Sequence, residues 1–141
     1  MNYFYVEPEV SGGFGKNTAL DSTTHPPVVS KLHYEFSGWL GDILLESFPC
    51  EIITKEAATA LEDAGLSGFT FDKVEVSASQ EFQDMYPHRR IPEFLWLKIT
   101  GVAGADDFGI AKDFRMVVSD KALHILKTLG IDNALIEKFG L

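Results

Sequence analysis

The 141-residue sequence has the length of one ordinary domain, and its 45% apolar and 23% charged residues are typical of a soluble globular protein. This composition excludes disordered, collagen-like and coiled-coil chains. Twelve Lys and Arg against 21 Asp and Glu give a formal net charge of −9, which repels nucleic-acid phosphates and anionic lipid surfaces. We therefore expect neither nucleic acid nor a membrane as partner.

The acidic charge is concentrated in the N-terminal half. Residues 1–70 carry 3 Lys or Arg and 10 Asp or Glu, whereas residues 71–141 carry 9 and 11. One interpretation is a solvated acidic surface that maintains solubility. The other is an acidic half that binds a basic partner.

Cysteine usage and the N-terminal segment indicate the compartment. Cys50 is the only cysteine, which excludes a disulfide framework and a cysteine-based zinc cluster. The first residues lack the basic and apolar regions of a signal peptide, and no stretch reaches the roughly 18 apolar residues of a membrane span. We expect a cytoplasmic protein.

The first predicted element is a short strand at residues 3–6. Residues 11–30 are rich in Gly, Thr and Pro without an apolar period, which predicts a loop. Residues 31–36 alternate polar and apolar side chains, which predicts a half-buried strand.

The clearest pattern is an internal duplication, in which residues 51–66 align with residues 116–131 without gaps at an offset of 65 positions. Each copy has a short apolar strand, a hydroxyl N-cap (Thr54 or Ser119), a helix of about ten residues and a glycine at the helix end. A second strand is expected after each helix, the first of them over residues 69–76. The predicted skeleton is two strand–helix–strand units, residues 50–76 and 115–139.

Apolar residues spaced three and four apart predict the inward face of each helix. These faces comprise Ala57, Ala58, Leu61 and Ala64 in the first helix and Ala122, Leu123, Leu126 and Leu129 in the second.

Two further elements are predicted between the units. Residues 77–86 favour a short helix, with Ser77 and Gln80 at capping-box spacing, and residues 94–100 favour a central strand. Strands and helices separated by long irregular insertions predict a single α+β domain over residues 1–141, a mixed β-sheet with helices mainly on one face.

No motif in the sequence predicts a reactive centre. The glycine-rich residues 12–18 lack the spacing of a phosphate loop. Asp106 and Asp107 beside a glycine are interpreted as a solvated turn rather than as ligands of a divalent ion, and His25 and His33 lack the fixed spacing of a zinc pair. We expect a non-enzymatic protein with no cofactor and no metal.

Residues 39–49 form the densest candidate interface. A tryptophan flanked by glycines offers apolar area, and acids at positions 42 and 46 offer electrostatic steering. Packing of Trp39 in the core is the alternative interpretation. The candidate partner-binding residues are Glu35, Trp39, Asp42 and Glu46. Among the carboxylates of this region, Glu46 with Glu51, or Glu35 with Asp42, could form an acid–base pair, but the sequence does not place them.

Residues 39–76 resemble a module of bacterial immunity proteins from polymorphic-toxin systems. The features that carry the resemblance are Asp42, Pro49, Ile52–Ile53, Thr54, Leu61, Gly65–Leu66 and Phe69–Phe71, and residues 117–139 repeat them loosely. Asp72 and Lys73 stand where that module usually has a proline, and its paired Cys-x-x-Cys motifs are absent, so zinc is not carried over. The resemblance implies a cytoplasmic, non-enzymatic protein that neutralises a cognate toxin by binding it.

Two other function classes stay open. A small hydrolase could use an acid or His33 beside residues 11–30, with Asp42 and Asp106 as further polar groups of a cleft. A homodimeric scaffold could pair strand edges between chains. The favoured function is an inhibitor whose acidic surface binds a toxin with a basic surface.

Overall fold

The structure of the protein, a computed structural model, describes residues 2–140. Its strands in that range are β1 (Tyr3–Glu7), β2 (Gly12–Phe14), β3 (Ala19–Asp21), β4 (Val28–Lys31), β5 (His33–Phe36), β6 (Leu44–Ser47), β7 (Cys50–Thr54), β8 (Phe69–Asp72), β9 (Glu75–Ala78), β10 (Phe94–Ile99), β11 (Phe108–Ile110), β12 (Met116–Ser119) and β13 (Leu135–Lys138). Its helices are α1 (Lys55–Asp63), α2 (Gln80–Met85) and α3 (Asp120–Leu129). None of these helices is long and apolar enough to cross a bilayer.

The strands form several sheets, and the predicted α+β class is confirmed. Sheet 1 has the order β11–β12–β1–β13, sheet 2 has β6–β7–β10–β8, and sheet 3 has β2–β5–β9. Strands β3 and β4 form a separate hairpin. Neighbouring strands are antiparallel apart from the parallel pair β5 and β9. Where one mixed sheet was expected, the structure has four, because the long insertions carry strands of their own.

Sheets 1 and 2 contain the same elements in the same order, as the duplication in the sequence predicts. In sheet 2 the hairpin β6–β7 leads into α1 and then β8, and in sheet 1 the hairpin β11–β12 leads into α3 and then β13. In both sheets a strand from outside the unit lies between the two strands that flank the helix. That strand is β10 in sheet 2 and β1 in sheet 1. The N-terminal strand therefore completes the C-terminal unit.

The predicted caps are present in both units. The side-chain oxygens of Thr54 and Ser119 accept the backbone N–H three residues on, at 3.3 and 3.1 Å. After the helices, Gly65 and Gly130 have φ of 68° and 122°, values that residues with a Cβ adopt at a cost. Each helix thus begins and ends where the sequence predicts.

Two apolar cores lie on opposite sides of sheet 2. The first fills the space between sheets 1 and 2, where α1 and α3 contact each other. The second lies between the other side of sheet 2, sheet 3 and α2. The predicted inward faces of the helices are confirmed, with Ala64 and Leu129 only partly buried. The buried helix residues are Ala57, Ala58, Leu61, Ala122, Leu123 and Leu126.

The predicted loop over residues 11–30 is wrong, because it contains β2, β3 and most of β4. Glycine is required in β2 by close packing: a Cβ on Gly12 would lie 1.9 Å from the carbonyl oxygen of Glu35 on β5. The strand predicted over residues 31–36 is interrupted at Leu32, which separates β4 from β5. A glycine-rich composition that is typical of turns therefore also occurs in strands, where glycine allows two backbones to approach closely.

Two boundaries between the units also differ from the prediction. The strand expected over residues 69–76 is divided, since β8 pairs in sheet 2 and β9 pairs in sheet 3. The helix expected from Ser77 begins at Gln80, and Ser79 caps it by accepting the N–H of Phe82 at 3.0 Å. Strand β10 is confirmed as central to sheet 2.

Candidate partner-binding site

The segment between β5 and β6 contains two of the four candidate residues, and a buried carboxylate organises it. Glu9, only 8% exposed, accepts the N–H of Leu40 at 2.7 Å and that of Asp42 at 3.3 Å, and it also binds the hydroxyl of Ser11. A carboxylate that accepts several backbone N–H groups is strongly held. The segment is therefore fixed from inside the protein.

Asp42 is directed inward and is 3% exposed. One carboxylate oxygen accepts the backbone N–H of Asn133 and the other accepts its side-chain N–H, both at 2.9 Å. Both oxygens are thus occupied by a residue of the connection between α3 and β13. This position leaves Asp42 little surface for a partner, contrary to the expected surface contact.

Trp39 is also a packing residue, at 9% exposure. Its Nε1–H donates to the carbonyl of Asp42 at 3.0 Å, and its ring packs edge-on against Phe36 and Phe94. The guanidinium of Arg89 lies 4.4 Å from the ring centroid and donates to the Trp39 carbonyl at 2.9 Å. The alternative of core packing describes this side chain better than an exposed anchor does.

Glu35 and Glu46 are placed differently from those two residues. Glu35 is exposed on β5, and Glu46 is half-buried on β6. The four candidates therefore do not form one exposed patch. A partner contact through Glu35 and Glu46 stays a prediction.

Glu46 lies directly opposite Glu51 across the β6–β7 hairpin. Glu51 is 5% exposed, and burial, together with the neighbouring Glu46, raises the pKa of its carboxyl well above the usual range. Burial and the nearby Glu7 raise the pKa of Glu46 as well. Two carboxyls that face each other and are withdrawn from water favour holding one proton between them over carrying two negative charges.

No cation neutralises this acid pair directly. Among residues 2–140, no Lys or Arg nitrogen lies within 4.0 Å of the carboxyl of Glu46 or Glu51. Cys50, next to Glu51, is buried, and burial raises the pKa of its thiol to about 12. The thiol is therefore no nucleophile at neutral pH.

The hydrolase alternative depends on His33, which the structure places beside a serine. Nε2 of His33 is 2.7 Å from the hydroxyl of Ser77, while Nδ1 accepts the backbone N–H of Asn17 at 3.2 Å. Since Nδ1 is the acceptor, the ring proton lies on Nε2 and is donated to Ser77. A serine nucleophile needs the opposite arrangement, with Nε2 free to accept the hydroxyl proton. This geometry favours a structural histidine.

The remaining polar groups weighed from sequence have structural contacts. Asp106 accepts the N–H of Val102 at 2.7 Å, and Asp107 accepts the hydroxyl of Ser119 at 2.7 Å. His25 packs against two phenylalanine rings. Within residues 2–140, no group of three or more His, Cys, Asp or Glu side chains is arranged to hold a metal ion.

Sequence reasoning named Glu46 and Glu51 as one possible acid pair but did not place them. In the structure they are opposite each other because they are symmetric about the two-residue turn at residues 48–49 between β6 and β7. Glu9 was missed, because its partners are about thirty residues away and no local pattern marks it. The contact of Ser77 with His33 was missed for the same reason, and Ser77 was instead predicted to cap a helix.

Comparison with known proteins gives no assignment. No family model matches the chain, and no curated protein sequence matches it.

Proposed function

We propose that this protein is a non-enzymatic, cytoplasmic binding protein of the immunity type, which neutralises a cognate bacterial toxin by direct contact with an acidic surface. The partner is a protein with a basic surface, such as the substrate groove of a nuclease, which an acidic protein can occupy in place of phosphates. Neither catalysis nor a cofactor is part of this function.

The observation that carries the proposal is the lack of cationic partners for the acids of the N-terminal half. Within the described residues 2–140, only Glu7 of the ten acidic residues in positions 1–70 lies within 4.0 Å of a Lys or Arg nitrogen, that of Arg115. The described part of the C-terminal half contains five such acids, among them Asp72, which binds Lys98 at 3.1 Å. The field of the N-terminal half is therefore not neutralised locally, and such a field accelerates association with a basic partner.

The direct test uses the product of the gene immediately upstream, purified together with this chain. We expect a complex whose dissociation constant rises with salt, and growth protection when both genes are expressed. Absence of a complex and of protection would remove the proposed function.

The docking surface is tested by a matched pair of charge reversals. Glu35→Lys changes an exposed acid of the N-terminal half, and Asp132→Lys makes the same change at an exposed acid of the C-terminal half. We expect slower association and a weaker salt dependence for Glu35→Lys than for Asp132→Lys. Equal effects of the two variants would contradict docking through the N-terminal half.

A homodimeric interaction module is a second candidate, favoured by β13. This strand is at the end of sheet 1, all four of its residues are exposed, and Leu135 is 69% exposed. An exposed strand edge is a template for pairing with another chain. Sedimentation at micromolar concentration distinguishes a dimer from a monomer, and Leu135→Lys should abolish a dimer formed through this edge.

A further inference from the structure

Strand β9 is the last strand of sheet 3, in the order β2–β5–β9. Glu75 and Ser79 donate their backbone N–H groups to the carbonyls of residues 32 and 36, at 3.0 and 2.8 Å. The backbone groups of successive residues in a strand point to alternate sides of it. Those of Val76 and Ala78 therefore point away from β5, toward the outer edge of the sheet.

Three of these outward groups have no hydrogen-bond partner within residues 2–140. They are the N–H and the carbonyl of Val76 and the N–H of Ala78. The carbonyl of Ala78 accepts the side-chain amide of Gln83 at 3.0 Å, so the free edge ends there. A strand edge with unpaired donors and acceptors is a template for pairing with another chain.

A groove of about 390 Å³ lies beside this edge. Val76 and Ala78 belong to one wall, and Ile91 and Phe94, from the segment that leads into β10, belong to the other. All four side chains pack in or against the second core. Pro92 on the rim is exposed, so the groove opens to solvent. The space is thus suited to an apolar side chain of an added strand.

The groove continues beyond the end of β9. A second cavity, of about 500 Å³, shares Ala78 and Ile91 with the first and extends along α2 to Tyr86 and Arg89. Two cavities that share residues form one elongated groove. Its length, together with the unpaired backbone groups along one wall, fits a peptide chain better than a compact small molecule.

The charged residues that line the two cavities are Glu93, Asp84 and Arg89. The amine of Lys55 lies 3.2 Å from the Glu93 carboxylate. The Arg89 guanidinium donates to the carbonyl of Trp39 at 2.9 Å and lies over its ring, so it is held by the protein itself. The lining has two acids and one base, and it therefore accepts a basic segment.

The outer face of sheet 3 carries two acids next to the free edge. His33 contacts Ser77 at 2.7 Å and Glu75 at 3.8 Å, which places the three side chains on one face. Glu35 follows His33 by two positions in β5 and lies on the same face. Glu75 also has the amine of Lys31 at 3.8 Å, and both side chains are exposed. A strand added to β9 has its outward side chains beside Glu75, where an acid favours lysine or arginine.

We propose that an extended segment of the basic protein partner adds to sheet 3 as a further strand along the free edge of β9. Its backbone pairs with Val76 and Ala78, an apolar side chain enters the groove between Val76 and Ile91, and basic side chains on its other face lie next to Glu75. This inference rests on the proposed function and gives the mode of contact. In strand addition, main-chain hydrogen bonds supply affinity and alternate side chains supply specificity.

The test uses a peptide of alternating lysine and valine, acetyl-Lys-Val-Lys-Val-Lys-amide. Its control is the same peptide with methyl groups on the backbone nitrogens, which keeps the charge and removes the donors. Amide signals of Val76 and Ala78 are followed by NMR during titration of the full chain, with those of Ile136 and Lys138 on β13 for comparison. We expect saturable shifts on β9 with the unmethylated peptide only. Equal shifts with the methylated peptide, shifts on β13 alone, or no saturable shift at millimolar peptide would overturn the inference.

Three variants locate the site. Ala78→Pro removes an outward N–H that has no partner in the protein, and proline is tolerated at such edge positions. Ile136→Pro is the matched control on the edge of β13. Because Phe139 donates its N–H to Tyr3 at 2.9 Å, the N–H of residue 136 points away from β1. Glu75→Lys keeps the free edge and reverses the charge beside it.

We expect Ala78→Pro to abolish binding of the lysine peptide and Glu75→Lys to weaken it severalfold, whereas Ile136→Pro leaves it unchanged. Unaltered binding by either of the first two variants would overturn the inference, once thermal unfolding shows that the variant is folded. Shifts of the Val76 and Ala78 signals when the chain alone is concentrated would also overturn it, because a second copy would then occupy the edge.

The outcome is separable from that of the proposed function. If the upstream gene product binds the wild type and Ala78→Pro equally tightly, strand addition at β9 is wrong and the inhibitor function stands. If the lysine peptide binds at β9 as expected and no toxin binds the chain, the inhibitor function is wrong and β9 is retained as an edge that binds extended basic segments.

Discussion

Asn133 holds Asp42 with its backbone N–H and its side-chain amide, each at 2.9 Å, across 91 positions of the chain. The contact joins the segment before β6 in sheet 2 to the segment before β13 in sheet 1. Since Ile43 also donates to the carbonyl of Gly130 at 3.0 Å, the two units are joined by polar contacts as well as by their shared core. An acid interpreted from sequence as a partner contact thus serves the fold.

We predict that Asp42→Ala lowers the free energy of unfolding by about 1–3 kcal/mol, because the buried carboxylate is lost together with its two hydrogen bonds from Asn133. Asn133→Ala should cost less, since its backbone N–H still reaches the carboxylate. Urea unfolding measures both, and the exposed neighbour Asp132→Ala is the control. If Asp42→Ala unfolds like the wild type but binds the partner more weakly, Asp42 acts as a partner contact after all.

Which ring nitrogen of His33 carries the proton distinguishes a structural role from a catalytic one. We expect nitrogen-15 NMR shifts that show the proton on Nε2, as its contacts with Asn17 and Ser77 require. Ser77→Ala should lower the free energy of unfolding by about 1 kcal/mol through the lost hydrogen bond. A proton on Nδ1 would contradict the structural role and restore the hydrolase alternative.

The reliable part of the sequence reasoning is local. Thr54 and Gly65, with an apolar stripe between them, determine α1 through contacts a few residues apart, and Ser119 and Gly130 do the same for α3. The pairing of β1 with β12 and β13 joins opposite ends of the chain. No spacing pattern reports a partner that distant, so the sheet orders could not be predicted.

The lack of any sequence signal for distant contacts also explains why the candidate site was predicted only in part. Trp39 and Asp42 are residue types that are common in exposed interfaces. In the structure, however, Arg89 covers the Trp39 ring and Asn133 binds the Asp42 carboxylate, and both of these residues are distant in the sequence. The Glu46–Glu51 pair is different, because a tight hairpin is a local feature and sets their register. The sequence analysis did not predict this hairpin, so it left the position of the two acids open.

The acid pair predicts a specific dependence of stability on pH. Because burial and Glu46 raise the pKa of Glu51 in the folded state, the folded protein holds a proton that the unfolded chain releases above about pH 4.3. The contribution of Glu51 is therefore fully present below that pH and is lost as pH rises through the folded-state pKa. Urea unfolding at several pH values should show this loss in wild type and in the control Glu35→Gln. Glu51→Gln should flatten it, and an unchanged profile would contradict the shared proton.

The glycines of β2 provide a matched test of close strand packing. A Cβ on Gly12 would lie 1.9 Å from the Glu35 carbonyl oxygen, whereas a Cβ on Gly13 would have no atom within 4 Å. We predict that Gly12→Ala lowers the free energy of unfolding by about 1–3 kcal/mol through overpacking, and that Gly13→Ala changes it little. Equal stabilities in chemical denaturation would show that β2 does not approach β5 as described.

The two N-caps should differ in strength although they occupy equivalent positions. Thr54 accepts one backbone N–H, at 3.3 Å, whereas Ser119 accepts one at 3.1 Å and also donates its hydroxyl to Asp107 at 2.7 Å. Loss of a cap costs about 1 kcal/mol, and Ser119→Ala also deprives Asp107 of a donor. We therefore predict a larger fall in the free energy of unfolding for Ser119→Ala than for Thr54→Ala. Asp107→Ala should remove most of that difference when combined with Ser119→Ala in a double-mutant cycle. A cycle without coupling would mean that the duplicated caps contribute equally and that Asp107 acts independently of α3.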